Sequence, residues 1–196
     1  MTIVKRYIVL TVLAVGLVGM SSWLLVRDCL GRSAREATQA PGTAAPPATG
    51  ERRIKVTLYY VAEDGSRLVP AEKDVPFAEG ISDQARRILE AQLLPPPAPL
   101  LTAIPTATTV RGIYVGESGD AYADLGGGIR ANHPGGSLNE LFTVYAIVSA
   151  LTTNLPAITS VQILVDGHEV DTLAGHVDLR RPLPKSAQWL EPPAVR

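Results

Sequence analysis

The fold is decided by residues 137–167, SLNELFTVYAIVSALTTNLPAITSVQILVDG. Ser137 and Glu140 have the Ser-x-x-Glu spacing of a capping box, in which the hydroxyl accepts the Glu140 amide and the carboxylate reaches back. Ser160–Val165 predicts an apolar strand that ends in the Asp166–Gly167 turn. The apolar residues between cap and strand recur at helical spacing and predict a helix at the centre of the core: Leu138, Leu141, Phe142, Tyr145, Val148, Leu151 and Leu155.

The sequence before this stretch predicts two strands and a second helix. Ile54–Val61 alternates at strand period. Asp64–Gly65 is a turn signal before a second strand over Arg67–Val75, which Pro70 interrupts. Ser82 is expected to cap the helix through its side chain. The apolar residues that define this helix are Ile81, Ala85, Ile88, Leu89 and Leu93.

The two predicted helices are separated by a predicted β-hairpin and a glycine-rich loop. Thr109–Gly116 is rich in β-forming residues, and Ser118–Asp120 is a turn into a strand over Ala121–Leu125. A short last strand is expected near His176–Leu179. The order ββαββαβ predicts an α+β fold, a two-layer sandwich in which two helices cover one face of a five- to six-stranded mixed sheet.

A run of twenty uncharged residues, Tyr7–Val26, lies near the start of the sequence. Twenty helical residues span about 30 Å, the thickness of the hydrocarbon core of a bilayer, so the run predicts one transmembrane helix before the domain. The run is longer than a usual signal-peptide core, which favours an uncleaved anchor over a cleaved signal. The short stub before it favours a cytoplasmic N-terminus and a domain on the outer side of the bacterial cytoplasmic membrane.

These features divide the chain into five predicted parts. They are a cytoplasmic stub (1–6), the membrane anchor (7–26), an Ala/Pro/Gly/Thr-rich linker (27–51), the folded domain (52–183) and an extended tail (184–196). Residues 1–36 carry five basic and two acidic side chains, whereas residues 51–196 carry thirteen and seventeen. A mildly acidic domain argues against nucleic acid as a partner.

The single cysteine, Cys29, excludes an internal disulfide and a cysteine-based zinc cluster within one chain. Asp28 precedes it where a bacterial lipobox needs a small residue, so lipid attachment is not predicted. An intermolecular disulfide outside the cytoplasm is left open.

No residue pattern predicts a catalytic, cofactor-binding or metal site. The three histidines have no His-Glu-x-x-His spacing. Gly126–Gly128 follows a strand but lacks the Gly-Lys-Ser/Thr of a phosphate loop and is not expected to open a helix directly. The three glycines instead indicate positive φ angles or a close approach of the backbone to its neighbours. Asp124 and Glu140 could form a carboxylate pair, but a strand end and a helix cap explain them equally well.

Six segments, taken in order, resemble one known family. They are Leu58–Tyr60, Leu100–Pro105, Ala121–Leu125, Gly135–Ser137 with Glu140, Leu151–Gly167 and Thr172–Leu179. Together they resemble the GerMN domain of the GerM family of sporulation and spore-germination proteins. The resemblance covers nearly all of Val56–Leu183.

The resemblance implies a membrane-attached, extracytoplasmic, non-enzymatic domain that helps to assemble envelope complexes. The first hypothesis is therefore an interaction module that binds envelope proteins or a second copy of itself. The second is peptidoglycan binding beside cell-wall enzymes, and the third is a hydrolase that uses Asp124, Glu140 or the histidines. We expect an interaction surface at nine loop and turn residues: His133, Gly135, Gly136, Asp166, Gly167, His168, Gly175, His176 and Asp178.

Overall fold

The computed structural model describes residues 52–190. In chain order its elements are β1 (Arg53–Val61), β2 (Leu68–Pro76), α1 (Ile81–Gln92), β3 (Val110–Val115), β4 (Asp120–Leu125), α2 (Gly128–Ala131), α3 (Ser137–Asn154), β5 (Ser160–Val165), β6 (His168–Glu169) and β7 (Leu183–Pro184). The predicted α+β class is confirmed. The predicted transmembrane segment 7–26 lies outside the described residues, and among residues 52–190 no helix is long and apolar enough to cross a bilayer.

The strands form two sheets, whereas the sequence predicted one. β1 and β2 form an antiparallel pair of their own. The other five strands form a mixed sheet, in which β3 and β4 are antiparallel and β4 and β5 are parallel. β6 and β7 both pair with the far edge of β5, one at each end. The helix α3 provides the crossover that a parallel pair requires.

Two side-chain amides take the place of a neighbouring strand along the outer edge of β1. Gln92, the last residue of α1, accepts the N–H of Tyr59 at 2.9 Å and donates to its carbonyl at 2.7 Å. Asn154, the last residue of α3, does the same for Thr57 at 2.8 and 2.7 Å. A backbone bridge from Leu101 closes the end of β1. Because the backbone N–H and carbonyl groups of Thr57, Tyr59 and Val61 on this edge have hydrogen-bond partners, β1 can stay outside the larger sheet.

The strand β2 runs through Pro70 without the predicted interruption. The N–H groups of Thr57 and Tyr59 point away from β2. The backbone groups of the β2 residues paired with them therefore point away from β1, toward the outer edge of β2. These paired residues are Glu72 and Pro70. The nitrogen of Pro70 therefore faces the outer edge, where a proline is tolerated.

The sequence predicts an extended tail after β7. In the structure this segment contacts the domain as far as residue 190. The N–H of Leu68 donates to the carbonyl of Trp189 at 2.9 Å, and Leu190 forms a parallel bridge to Leu68. The side chains of Trp189 and Leu190 pack against the core. The folded domain therefore extends beyond the predicted boundary at residue 183.

One hydrophobic core joins the helices to both sheets, and α3 is its centre as predicted. The largest fully buried side chains of α3 are Phe142, Ile147 and Leu151. All fully buried apolar residues of the described chain lie within 56–179, so this region supplies its own core. A fragment of residues 51–196 contains these core residues and is therefore suited to stability measurements.

The predicted side-chain caps of both long helices are wrong. The residue before α1 is Gly80 and the residue before α3 is Gly136, and neither helix start has a side-chain hydrogen bond of this kind. Ser82 and Ser137 lie inside the first turns instead. Glu140, the expected partner of Ser137, points elsewhere.

Candidate functional site

Glu140 is a buried carboxylate that fixes the loop between β6 and β7 against α3. Its side chain is 0% exposed. Its Oε1 accepts the N–H groups of Leu173 and Ala174 at 2.7 and 2.9 Å. Its Oε2 accepts the N–H of His176 at 2.8 Å and lies 3.1 Å from Nδ1 of the same residue. The strand predicted near His176–Leu179 does not form: the N–H of His176 donates to Glu140, and the N–H of Leu179 donates to the carbonyl of Asp171.

The loop also sets the charge state of Glu140. Burial by itself raises the pKa of this carboxyl, but the N–H groups of Ala174, His176 and Leu173, together with the His176 ring, lower it by more. The resulting pKa lies below the ordinary glutamate value, so the group is ionised at neutral pH.

His133 lies close to the same carboxylate and holds the loop that leads into α3. Its Nδ1 accepts the N–H of Gly135 at 3.0 Å, and its Nε2 lies 3.1 Å from Oγ1 of Thr143. An accepting Nδ1 assigns the ring proton to Nε2. Burial lowers the pKa of His133, and the nearby charge of Glu140 opposes that shift without cancelling it.

A second cluster joins the carboxyl ends of the parallel strands β4 and β5. Arg111 donates from Nε to Asp124 at 3.1 Å and from Nη1 to Asp166 at 3.2 Å. Asp124 also accepts the N–H of Gly167 at 2.7 Å, and Asp166 accepts the N–H of Gly127 at 3.0 Å. Asp124 and Glu140 thus hold two different loops and share no hydrogen-bond partner among the described residues.

The loop Gly126–Gly128 has glycines because neighbouring atoms occupy the space of a side chain. A Cβ added at the three positions would lie less than 3.0 Å from Oγ1 of Thr109, Oδ2 of Asp166 and the backbone oxygen of Ala107, respectively. The predicted close backbone approach is confirmed. One expectation is wrong, because the short helix α2 does begin directly at Gly128.

Gly128→Ala should lower the free energy of unfolding by about 2–3 kcal/mol, the upper part of the usual range for an overpacked site. The new methyl group would meet the backbone oxygen of Ala107, which cannot rotate away as the end of a flexible side chain can. Gly126→Ala meets a side-chain atom instead, so combining it with Thr109→Ala should restore most of the stability. Urea unfolding of residues 51–196, followed by circular dichroism, measures both effects.

Gly116→Ala is the matched control for these variants, since its nearest neighbour would be 3.6 Å away, an ordinary contact distance. An equal loss for Gly116→Ala and Gly128→Ala would contradict the steric explanation of the glycine loop.

Tyr114 and Tyr122 form an exposed aromatic pair on the face of the larger sheet that points away from the core. They are register partners in β3 and β4 and are 64% and 37% exposed. A Cβ at Gly112 would lie 3.0 Å from the Tyr114 hydroxyl oxygen and 3.1 Å from its Cε2, so the ring lies along its own strand. Exposed tyrosines on a rigid element are typical of binding hot spots.

The structure separates the nine residues of the predicted interaction surface. Five surround the start of α3 and the loop that Glu140 binds: His133, Gly135, Gly136, Gly175 and His176. Asp166 and Gly167 form the turn between β5 and β6, and His168 follows in β6. Asp178 is held by Arg180 at 2.7 and 2.9 Å. The tyrosine pair is not among the nine predicted residues, although the turn at Ser118–Asp120 places its members symmetrically in one hairpin.

Within residues 52–190, no group of three or more histidine, cysteine or acidic side chains is arranged to hold a metal ion. Glu140 is engaged by backbone N–H groups, and Asp124 by Arg111 and a backbone N–H. The described chain is thus a small α+β domain whose ionised groups fix its loops.

The chain belongs to the Germane family of sporulation and spore-germination proteins, whose family model matches residues 57–171. The predicted resemblance to GerMN domains is therefore confirmed. A candidate lipoprotein from Clostridium perfringens has a similar structure, with 22% identity, a TM-score of 0.50 and coverage of 74% of this chain and 95% of that one.

The tandem GerMN domains of the sporulation protein GerM from Bacillus subtilis are also similar. They show 19% identity and a TM-score of 0.50, over 69% of this chain and 45% of theirs. At these identities the structural matches show a common fold. No curated protein matches the sequence.

Proposed function

We propose that this protein is a membrane-anchored, extracytoplasmic interaction module that helps to assemble envelope or sporulation-related protein complexes. Its membership of the Germane family supports a role in sporulation or germination. The uncharged run 7–26 supports anchoring in the cytoplasmic membrane with the domain outside.

The observation that carries the proposal is the exposed pair Tyr114 and Tyr122. Tyrosine gives a large contact area at a low cost in side-chain entropy, and it is enriched where proteins bind one another. Arg111, which is half exposed, lies in the same strand as Tyr114, and arginine is a second residue type that is enriched in such contacts. The partner is another envelope protein or a second copy of this chain.

We also propose that the protein is not an enzyme. Each of the two carboxylates considered for hydrolysis, Asp124 and Glu140, is buried and bonded to the backbone of a loop. Their hydrogen bonds account for them without a substrate.

A photo-crosslinking residue that replaces Tyr114 in the full chain should link it, in cells, to an envelope protein or to a second copy. In the chain without the crosslinker, removal of both rings by Tyr114→Ala and Tyr122→Ala should reduce co-purification of that partner by about tenfold or more, as is usual for a hot spot. Mass spectrometry of the linked product identifies the partner.

The same crosslinker at Leu138, which is similarly exposed but lies at the start of α3, is the control. Equal products from both positions would count against the tyrosine surface. If no protein is linked at Tyr114 and the full chain is retained on purified sacculi, peptidoglycan binding would replace this proposal.

A further inference from the structure

A cleft of about 340 Å³ lies between the strand β2 and the proline segment Pro95–Pro97. Its other lining residues are Tyr60, Ala71, Glu72 and Lys73. The volume is in the range of small-ligand sites, which are mostly apolar with a few polar groups. Three consecutive prolines make one wall stiff, because each has a fixed φ.

Tyr60 contributes a hydroxyl that has no hydrogen-bond partner among residues 52–190. The residue is only 2% exposed, and its hydroxyl makes no hydrogen bond to any residue of the described chain. The hydroxyl oxygen is nevertheless not sealed from solvent, so a ligand can reach it. Burial raises the pKa of Tyr60, which keeps the hydroxyl protonated as a hydrogen-bond donor.

Lys73 contributes a positive charge that no acidic residue of the described chain neutralises through an ion pair. The adjacent acid of the cleft, Glu72, is already bound by Lys55 at 3.0 Å. Because Lys55 pairs with Glu72, Lys73 is the charged residue of the lining that remains available to an anionic group.

The outer edge of β2 adds backbone groups. The N–H and carbonyl of Glu72 point outward, by the pairing with Thr57 described above. Pro70 and Pro76 occupy two other outward positions and have no N–H, so a long added strand would lose hydrogen bonds there. The edge therefore suits the end of a chain better than its middle.

We propose that this cleft binds the carboxyl-terminal end of a partner protein, a chain of L residues. The terminal carboxylate accepts hydrogen bonds from the Tyr60 hydroxyl and the Lys73 ammonium group. The backbone of the partner protein pairs with Glu72, and a small apolar terminal side chain lies against Ala71 and the prolines. Main-chain pairing at a sheet edge and capture of a terminal carboxylate are both established modes of peptide recognition.

The site is separate from the tyrosine pair, so the two proposals are tested independently. The probe is an N-acetylated tripeptide that ends in two alanines, titrated into the full chain in detergent micelles by calorimetry. The free carboxylate should bind at least about tenfold more tightly than the carboxamide, the effect expected for a charge-assisted hydrogen bond.

Tyr60→Phe and Lys73→Met should each weaken binding of the free carboxylate by about five- to tenfold. Both variants keep the buried bulk of the side chain, so they are expected to fold. Tyr145→Phe and Lys185→Met are the matched controls outside the cleft and should bind as the unaltered protein does.

Peptides with terminal L- or D-alanines distinguish the two sources of this chemistry. Preference for the L-peptide is expected, because main-chain pairing with Glu72 suits L residues, and it indicates a protein C-terminus. Preference for the D-peptide would indicate a cell-wall stem peptide and would contradict the proposal. Equal binding of carboxylate and carboxamide, no binding of either, or unchanged affinity in both cleft variants would overturn it. Loss of peptide binding with unchanged crosslinking at Tyr114 would separate this site from the proposed function.

Discussion

Glu140→Ala should lower the free energy of unfolding by about 3–5 kcal/mol, the usual loss when one partner of a buried charged network is removed. The variant leaves the N–H groups of Leu173, Ala174 and His176 without their acceptor. The loop between β6 and β7 should then exchange its amide hydrogens much faster. Urea unfolding of residues 51–196 and hydrogen exchange of this loop measure the two effects.

Glu140→Gln is the discriminating variant, because it keeps the size of the side chain but replaces one acceptor by a donor. It should lose less than the alanine variant and more than Glu117→Gln, an exposed control. Equal stability of Glu140→Gln and the unaltered fragment would contradict the role assigned to the charge.

The same carboxylate predicts a pH dependence with a definite sign. The folded-state pKa of Glu140 lies below its ordinary value of 4.5, so folding favours the ionised form. Its contribution is complete above that ordinary value and is lost as the pH falls through the lower folded-state pKa. Glu140→Gln should flatten this part of the stability profile measured by urea unfolding.

Gln92→Leu should cost about 2–5 kcal/mol, since it removes two hydrogen bonds and leaves both buried backbone groups of Tyr59 without a partner. Gln92 is 0% exposed, so water cannot replace the amide. Leucine fills a similar volume, which confines the change to hydrogen bonding. Thermal and urea unfolding of residues 51–196 give the loss.

Asn154→Leu should cost less than Gln92→Leu, although it removes an equivalent pair of bonds from Thr57. Asn154 is only partly buried, so water can reach the backbone groups that it leaves. Gln188→Leu, at an exposed position, should be nearly neutral. The reverse order for the two amides would show that their burial does not set the cost.

The elements with strong local patterns were predictable. The strand Ser160–Val165 and the central helix α3 agree with the sequence, because apolar periodicity reports which side of an element is buried. The contacts of Trp189 with the domain could not be predicted, since no local pattern indicates that a proline-rich segment packs against β2.

The partners of polar residues were the least predictable part. Glu140 has the spacing of a capping box, yet it binds a loop more than thirty residues away, where its charge is better satisfied. Gln92 and Tyr59 are 33 residues apart, and Asn154 and Thr57 are 97 apart. No local rule selects such pairs, because they depend on how the helices pack. The aromatic pair at Tyr114 could have been found from hairpin symmetry.

The amides that close β1 also limit how copies of this domain could polymerise. Sheets that continue from one molecule to the next need two open edges, and the hairpin has none of useful length. Gln92 and Asn154 block one edge, whereas Pro70 and Pro76 break up the other. Arg86 also binds the carbonyls of Val110 and Arg111 in β3. High local concentration should therefore not convert this domain into amyloid-like fibrils through its hairpin.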